Sequence, residues 1–139
     1  MTATVLYTPE VLGLATGLAA FAWDEALPLR GEARSRSCGS TIALGIALDG
    51  EGRVDRVALR SHACAIGQAA AAIFAGAAAG RTLAQIDEAA RQIETWLAGT
   101  AAMPDWPGLG GISAARDYPA RHGAIMLAWN AARQLLGSR

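Results

Sequence analysis

Thr41-Ile42-Ala43-Leu44-Gly45-Ile46-Ala47-Leu48, followed at once by Asp49-Gly50-Glu51-Gly52, decides how this chain folds. Ile42, Leu44, Ile46 and Leu48 alternate with smaller residues and line one face of a strand. Thr41, Ala43, Gly45 and Ala47 line the other, and so small a face lets a helix or loop approach closely. Asp49 to Gly52 is turn chemistry, so Arg53 to Arg60 is expected to return as the next antiparallel strand. Ahead of this hairpin, Glu32 to Arg36 reads as an edge strand, charged as exposed edges commonly are. Leu27-Pro28-Leu29-Arg30-Gly31 reads as an irregular link.

The segments outside this meander carry helical signals. Thr8-Pro9-Glu10 is a helix start, with a capping hydroxyl, a proline at the first position and an acid at the positive end. Val11 to Ala22 is apolar on nearly every face and needs a cover, up to Trp23-Asp24-Glu25. Cys64 to Ala79 is small and apolar and is stopped by Gly80. Thr82-Leu83-Ala84-Gln85 is a capping box, after which Leu83, Ile86, Ile93 and Leu97 recur at helical spacing up to Gly99. Residues Met103 to Gly111 are a Pro- and Gly-rich loop around Trp106, and a last helix runs from about Pro119 or Arg121 to Leu136. Strands first and helices after, without βαβ alternation, define an α+β fold: a small antiparallel sheet of about three strands, helices on one face, an N-terminal helix and a helical C-terminal half.

The chain of 139 residues is long enough to bury a core as one domain, residues 1–139, without disulfides or a structural metal. Twelve basic residues balance twelve acidic ones, so no nucleic-acid footprint or polybasic membrane patch is indicated. No uncharged stretch reaches ~18 apolar residues, which argues against a membrane span. The first residues lack a basic region ahead of an apolar one, so a secretory signal is not expected. Together with two cysteines in all, these features fit a reducing cytoplasm.

Those two thiols lie at element ends. Cys38 opens a Cys38-Gly39-Ser40 turn into the alternating strand, and Cys64 stands at the N-terminus of the alanine-rich helix. Two strands and a hairpin separate them, so folding can bring the sulfurs together. Unpaired N–H groups at a helix N-terminus favour a thiolate, the form that a soft metal, an iron–sulfur cluster or persulfide transfer requires. Against this stands the common role of free cysteine as a small buried hydrophobe. The histidines are His62, two residues before Cys64, and His122, beside Arg121 at the start of the last helix. A neutral imidazole can ligate metal; a surface or capping role is the bland alternative for both.

Cys38-Gly39-Ser40, His62-Ala63-Cys64-Ala65-Ile66-Gly67-Gln68 and Tyr118-Pro119-Ala120-Arg121-His122-Gly123-Ala124-Ile125-Met126-Leu127-Ala128-Trp129 resemble, in order and spacing, segments of the iron–sulfur cluster assembly scaffolds of the IscU, NifU and SufU type. Gly80-Arg81-Thr82-Leu83 is similar to the turn between that family's middle helices, and the resemblance spans roughly Thr8 to Leu136. It departs from the pattern at the ligands. Ser40 replaces the family's Asp, Ala124 aligns with its third Cys, and Gly123 stands where one branch has His, with His122 one residue earlier. Cys38 and Cys64 carry over by identity.

The resemblance implies a scaffold or carrier rather than an enzyme. It would take sulfur from a cysteine desulfurase, bind iron or a [2Fe–2S] unit, and pass it to apo iron–sulfur acceptor proteins. Cys38 and Cys64 would be thiolate ligands, His122 the third, and Ser40 a weak oxygen ligand. Trading soft donors for harder ones makes such a site more open to exchange. A zinc-dependent sulfurtransferase is the alternative within the family, since two Cys, one His and an exchangeable position suit tetrahedral zinc. From another class, a metal-free adaptor would keep the fold and a partner surface at the apolar N-terminal helix and the Trp106 loop. For a metal-binding reading, a homodimer is the arrangement in which a second copy supplies the missing ligand. A thiol hydrolase would rest on nothing but the proximity of Cys64 to a histidine.

Overall fold

The alternation at 41–48 becomes the central strand of a three-stranded antiparallel sheet of order β1-β2-β3, in a computed structural model that describes residues 7–36 and 39–137. The strands are β1 (Leu29–Arg34), β2 (Thr41–Leu48) and β3 (Val54–His62). Around them lie α1 (Pro9–Gly17), α2 (Ala65–Ala78), α3 (Leu83–Leu97) and α4 (His122–Arg133), with 3-10 segments at Leu18–Phe21, Leu109–Asp117 and Pro119–Arg121. This is the α+β arrangement expected. Ile42, Leu44 and Ile46 are buried on the inner face, where α4 packs on β2 and α2 on β3.

The small outer face of β2 is used as its composition implies. A Cβ on Gly45 would stand 3.3 Å from the Leu27 Cβ and 3.8 Å from the Trp23 ring. Segment 23–27 therefore folds over that end of the sheet. The hairpin after β2 is held by Asp49, whose carboxylate accepts the Glu51 and Arg53 N–H groups at 2.8 and 3.0 Å; Gly52 takes the left-handed φ of +79° that the turn needs.

Both outer strands differ in their bounds from the sequence reading, and the last helix is regular over His122–Arg133 rather than to Leu136. The edge strand begins at Leu29, inside the segment read as an irregular link, and ends at Arg34 rather than Arg36. The reason is tertiary: at Gly31 an added Cβ would lie 2.3 Å from the Ala131 carbonyl oxygen, so glycine lets α4 rest on the strand backbone. Gln134 then completes the edge, accepting the Glu32 N–H at 3.0 Å and donating its amide to the Glu32 carbonyl. A paired edge is closed to further strands. The other outer strand, β3, runs on to His62 because Thr41 supplies a partner for it.

α1 is shorter than the apolar run that encodes it. Thr8 caps it through the Val11 N–H (3.1 Å), but regular helix stops at Gly17 and a 3-10 turn follows. Only Val11 is fully buried there, and Leu12 remains 48% exposed, so the expected all-round cover is absent. α3 has the bounds and the capping box read from the sequence, with Thr82 Oγ1 accepting from Gln85 N at 3.1 Å and Gln85 Oε1 from Thr82 N at 2.9 Å. Gly80 has φ +85° and ties α2 to the start of β3 through the Val54 carbonyl (2.8 Å).

Trp106, in the loop that the adaptor alternative offers to a partner, is itself buried, stacked on Phe74 at 5.8 Å and edge-on to Trp129 at 5.3 Å. Its indole N–H donates to the Ile73 carbonyl at 2.9 Å, and the Arg81 guanidinium covers its other side at 4.2 Å. An indole whose polar atom finds a backbone acceptor can be core even from a Pro- and Gly-rich loop.

Candidate metal centre

The meander brings the chemistry-bearing segments to one end of the sheet. Thr41 pairs with His62, and Arg34 with Thr41 across the other edge of β2. Continuing the β2–β3 register carries Ser40 toward Ala63 and Gly39 toward Cys64. Cys38 itself lies outside the described residues. Its flanks are defined: Gly39 has φ +71°, and the Ser35 N–H donates to the Ser40 carbonyl at 2.8 Å, closing the loop that carries Cys38. Ser40 is buried at 5% exposure, deep for a hydroxyl at a strand entrance.

Cys64 is the N-cap residue of α2, in extended conformation (φ −65°, ψ 170°), and its side chain accepts no capping hydrogen bond. The thiol is half-buried and free. The backbone around it is fixed by Gln68, whose side-chain amide donates to the Ala63 carbonyl at 2.8 Å while its own N–H donates to the Cys64 carbonyl at 2.9 Å. The sulfur is therefore presented by a rigid helix start without being consumed in building it.

Against the first turn of α2 lies the first turn of α4. A Cβ on Gly67 would come within 2.8 Å of the Ala63 Cβ and 3.2 Å of the Ala124 Cβ. Ala124, the position without a sulfur, is thus buried one turn from Cys64. Sequence reasoning missed Gly67 as the contact that allows this approach; a glycine in an otherwise alanine-rich helix was the available signal.

His122 faces elsewhere. Two residues before Ala124, it stands about 200° around the helix axis from it. Its Nε2 lies 2.8 Å from the Arg116 carbonyl. A carbonyl can only accept, so Nε2 carries a proton in this contact. His62 is exposed, the last residue of β3 rather than part of a loop, on the outer face of the sheet beside Thr41. Among the described residues no group of three His, Cys, Asp or Glu side chains converges as a metal site, and no helix is long and apolar enough to cross a membrane. Among the described residues the donors fit a soft cargo in part: one uncommitted thiol, Cys64, at a fixed helix start; the sequence holds one further cysteine and no third.

The fold is that of the NifU- and SufU-type scaffolds. The structure is similar to that of the N-terminal part of a nitrogen-fixing NifU-like protein from Brucella abortus, with TM-score 0.88 and 24% identity over 98% of this chain and 95% of that one. It is also similar to a protein from the thermophile Fervidobacterium islandicum AW-1 described as an iron–sulfur cluster assembly scaffold for the SUF system, with TM-score 0.80 and 24% identity over 94% of this chain and 96% of that one. At this identity the likeness establishes fold. No protein-family model and no curated protein matches the sequence.

Proposed function

We propose that this chain is an iron–sulfur scaffold or carrier that holds iron or a [2Fe–2S] unit as cargo through the thiolates of Cys38 and Cys64, and does so transiently. The observation that carries the reading is the uncapped Cys64 thiol at a rigid helix start, in a fold similar to that of a protein described as an iron–sulfur cluster assembly scaffold. Ser40 contributes at most a weak oxygen donor. His122 enters as third ligand only through Nδ1, because Nε2 is committed to the Arg116 carbonyl. With Ala124 in place of a sulfur the cargo is held by fewer soft donors, which favours release over storage. A cysteine desulfurase is the sulfur source in this reading, and apo iron–sulfur proteins are the recipients. The chain performs no bond-forming catalysis of its own beyond accepting and handing on that cargo.

Anaerobic reconstitution with iron and sulfide, followed by absorption spectroscopy and iron and labile-sulfide analysis, tests this. Cys38→Ser and Cys64→Ser each lose the cargo with the fold intact, and His122→Ala weakens retention. Zinc held by both thiols with no iron uptake would replace the reading with zinc-dependent sulfur transfer. Neither metal bound, under conditions that load a control scaffold, would leave an adaptor.

A further inference from the structure

The outer face of the sheet carries a groove that the cargo reading does not use. It has a volume of about 680 Å³, a floor of Thr41 and Ala43, and walls that include Arg30, Glu32, Arg34, Arg60 and His62. An open antiparallel sheet face is ordinarily flat and solvated; here small residues on the middle strand and long ones on both outer strands make it concave. Its charge is unbalanced. Arg30 is occupied, bound to the Glu25 carboxylate at 2.9 Å and the Glu25 carbonyl at 2.6 Å. Among the described residues Arg34 and Arg60 make no ion-pair contact within 4 Å; Arg60 is near enough to Glu25 to help hold that carboxyl below its ordinary pKa, but Glu25 is bound to Arg30. Arg60 is also held in place, its guanidinium stacked 4.5 Å above the Trp23 ring, which leaves its edge N–H groups for an acceptor.

We infer that this groove docks an extended acidic segment of a partner protein, with Arg34 and Arg60 taking its carboxylates. Arg34 and Arg60 lie diagonally across β2, two strands and two residues apart, which places their backbones about 12 Å from each other. Carboxylates two to four residues apart on an extended chain span about 7–13 Å, the matching spacing. Guanidinium forks bind carboxylates bidentately. Glu32, on the wall between Arg30 and Arg34, opposes a uniformly charged phosphate backbone, and the chain's zero net charge offers no long-range attraction to one. The groove ends at the Thr41–His62 pair, one residue from Ser40 and two from Cys64, so a segment seated there lies alongside the thiol end of the sheet.

The test is amide chemical-shift titration of the isotope-labelled protein with a blocked peptide of alternating glutamate and threonine, about ten residues long. Saturable shifts at Arg34, Thr41, Ala43 and Arg60 are expected, with binding weakened about tenfold between about 20 and 200 mM salt. The Arg34→Ala/Arg60→Ala double variant, both sites exposed, should retain the spectrum elsewhere and bind at least about fivefold more weakly. Absence of saturable shifts in the groove, undiminished binding by the double variant, or equal binding of the lysine–threonine peptide overturns the inference. So does inorganic phosphate or single-stranded DNA producing the same shifts at lower concentration, which would make the groove an anion or nucleic-acid site.

Discussion

Ala124 is the residue on which cargo retention should turn. It is buried at 1% exposure against the first turn of α2, where Gly67 leaves room for it. Restoring a thiol there adds a soft donor one helical turn from Cys64 without asking the backbone to move far. Ala124→Cys should lengthen the half-life of reconstituted cargo against a chelator about threefold or more, whereas Ala124→Ser, nearly the same size but a harder donor, should leave it close to the parent value. Equal behaviour of the two would mean that the α4 start does not face the cargo. Legibility at this scale was uneven. Placement at element ends marks both cysteines as candidates in the sequence, and the resemblance to the scaffold family is what aligns Ala124 with a third Cys. The engagement of His122 with the Arg116 carbonyl was invisible, because it depends on a 3-10 segment, Leu109–Asp117, that has no periodicity to read.

Among the elements, the seam between α4 and β1 is the least obvious from sequence and the most exposed to test. Local signals located β2 and α3 at their ends, because strict alternation and a capping box are short-range patterns. β1 was displaced by three residues at its start, since Gly31 looks like a strand breaker until the helix resting on it is known. Alanine is ordinarily preferred to glycine in a strand by ~0.5–1 kcal/mol. At Gly31 the sign reverses: the new methyl would meet the Ala131 carbonyl at 2.3 Å, backbone against backbone, and overpacking of that kind costs ~1–3 kcal/mol. Gly31→Ala should therefore lower the urea midpoint, while Gly50→Ala, with nothing within 4 Å of the added carbon, should not. On α3, Thr82→Ala removes half of the capping box and should cost ~1 kcal/mol. That helix is also pinned to α4 by Arg133, which donates to Asp87 at 3.1 Å and to Glu94 at 2.9 Å. Glu94 holds the Arg133 guanidinium above its ordinary pKa, with Asp87 adding to it, so raising the pH does not release this tie from the arginine side.

For the molecule as a whole, the core is alanine-rich, and alanine contributes little apolar area per residue, so stability must concentrate where large side chains meet. That place is the contact of Phe74, Trp106 and Trp129, with ring centroids 5.3–5.8 Å apart. Trp106 arrives from an irregular loop and locks the segment before α4 onto α2 through the Ile73 carbonyl. Its ring contacts, Phe74 on α2 and Trp129 on α4, tie together the two helices whose starts carry Cys64 and Ala124. Removing it should act globally. Trp106→Ala should cost ~3–5 kcal/mol, a large share of the stability of a domain of this size. Trp106→Phe keeps a ring on Phe74 but gives up the indole hydrogen bond and some volume, at ~1–2 kcal/mol. Urea unfolding followed by far-UV dichroism and by the remaining tryptophans should give coincident transitions for both variants, with midpoints falling in that order and an unchanged slope. A loss below ~1 kcal/mol for Trp106→Ala would show that the Pro- and Gly-rich loop is held by its own backbone turns rather than by this ring. The small-residue contact at Gly67, and not the aromatic cluster, would then be what sets the geometry of the thiol end.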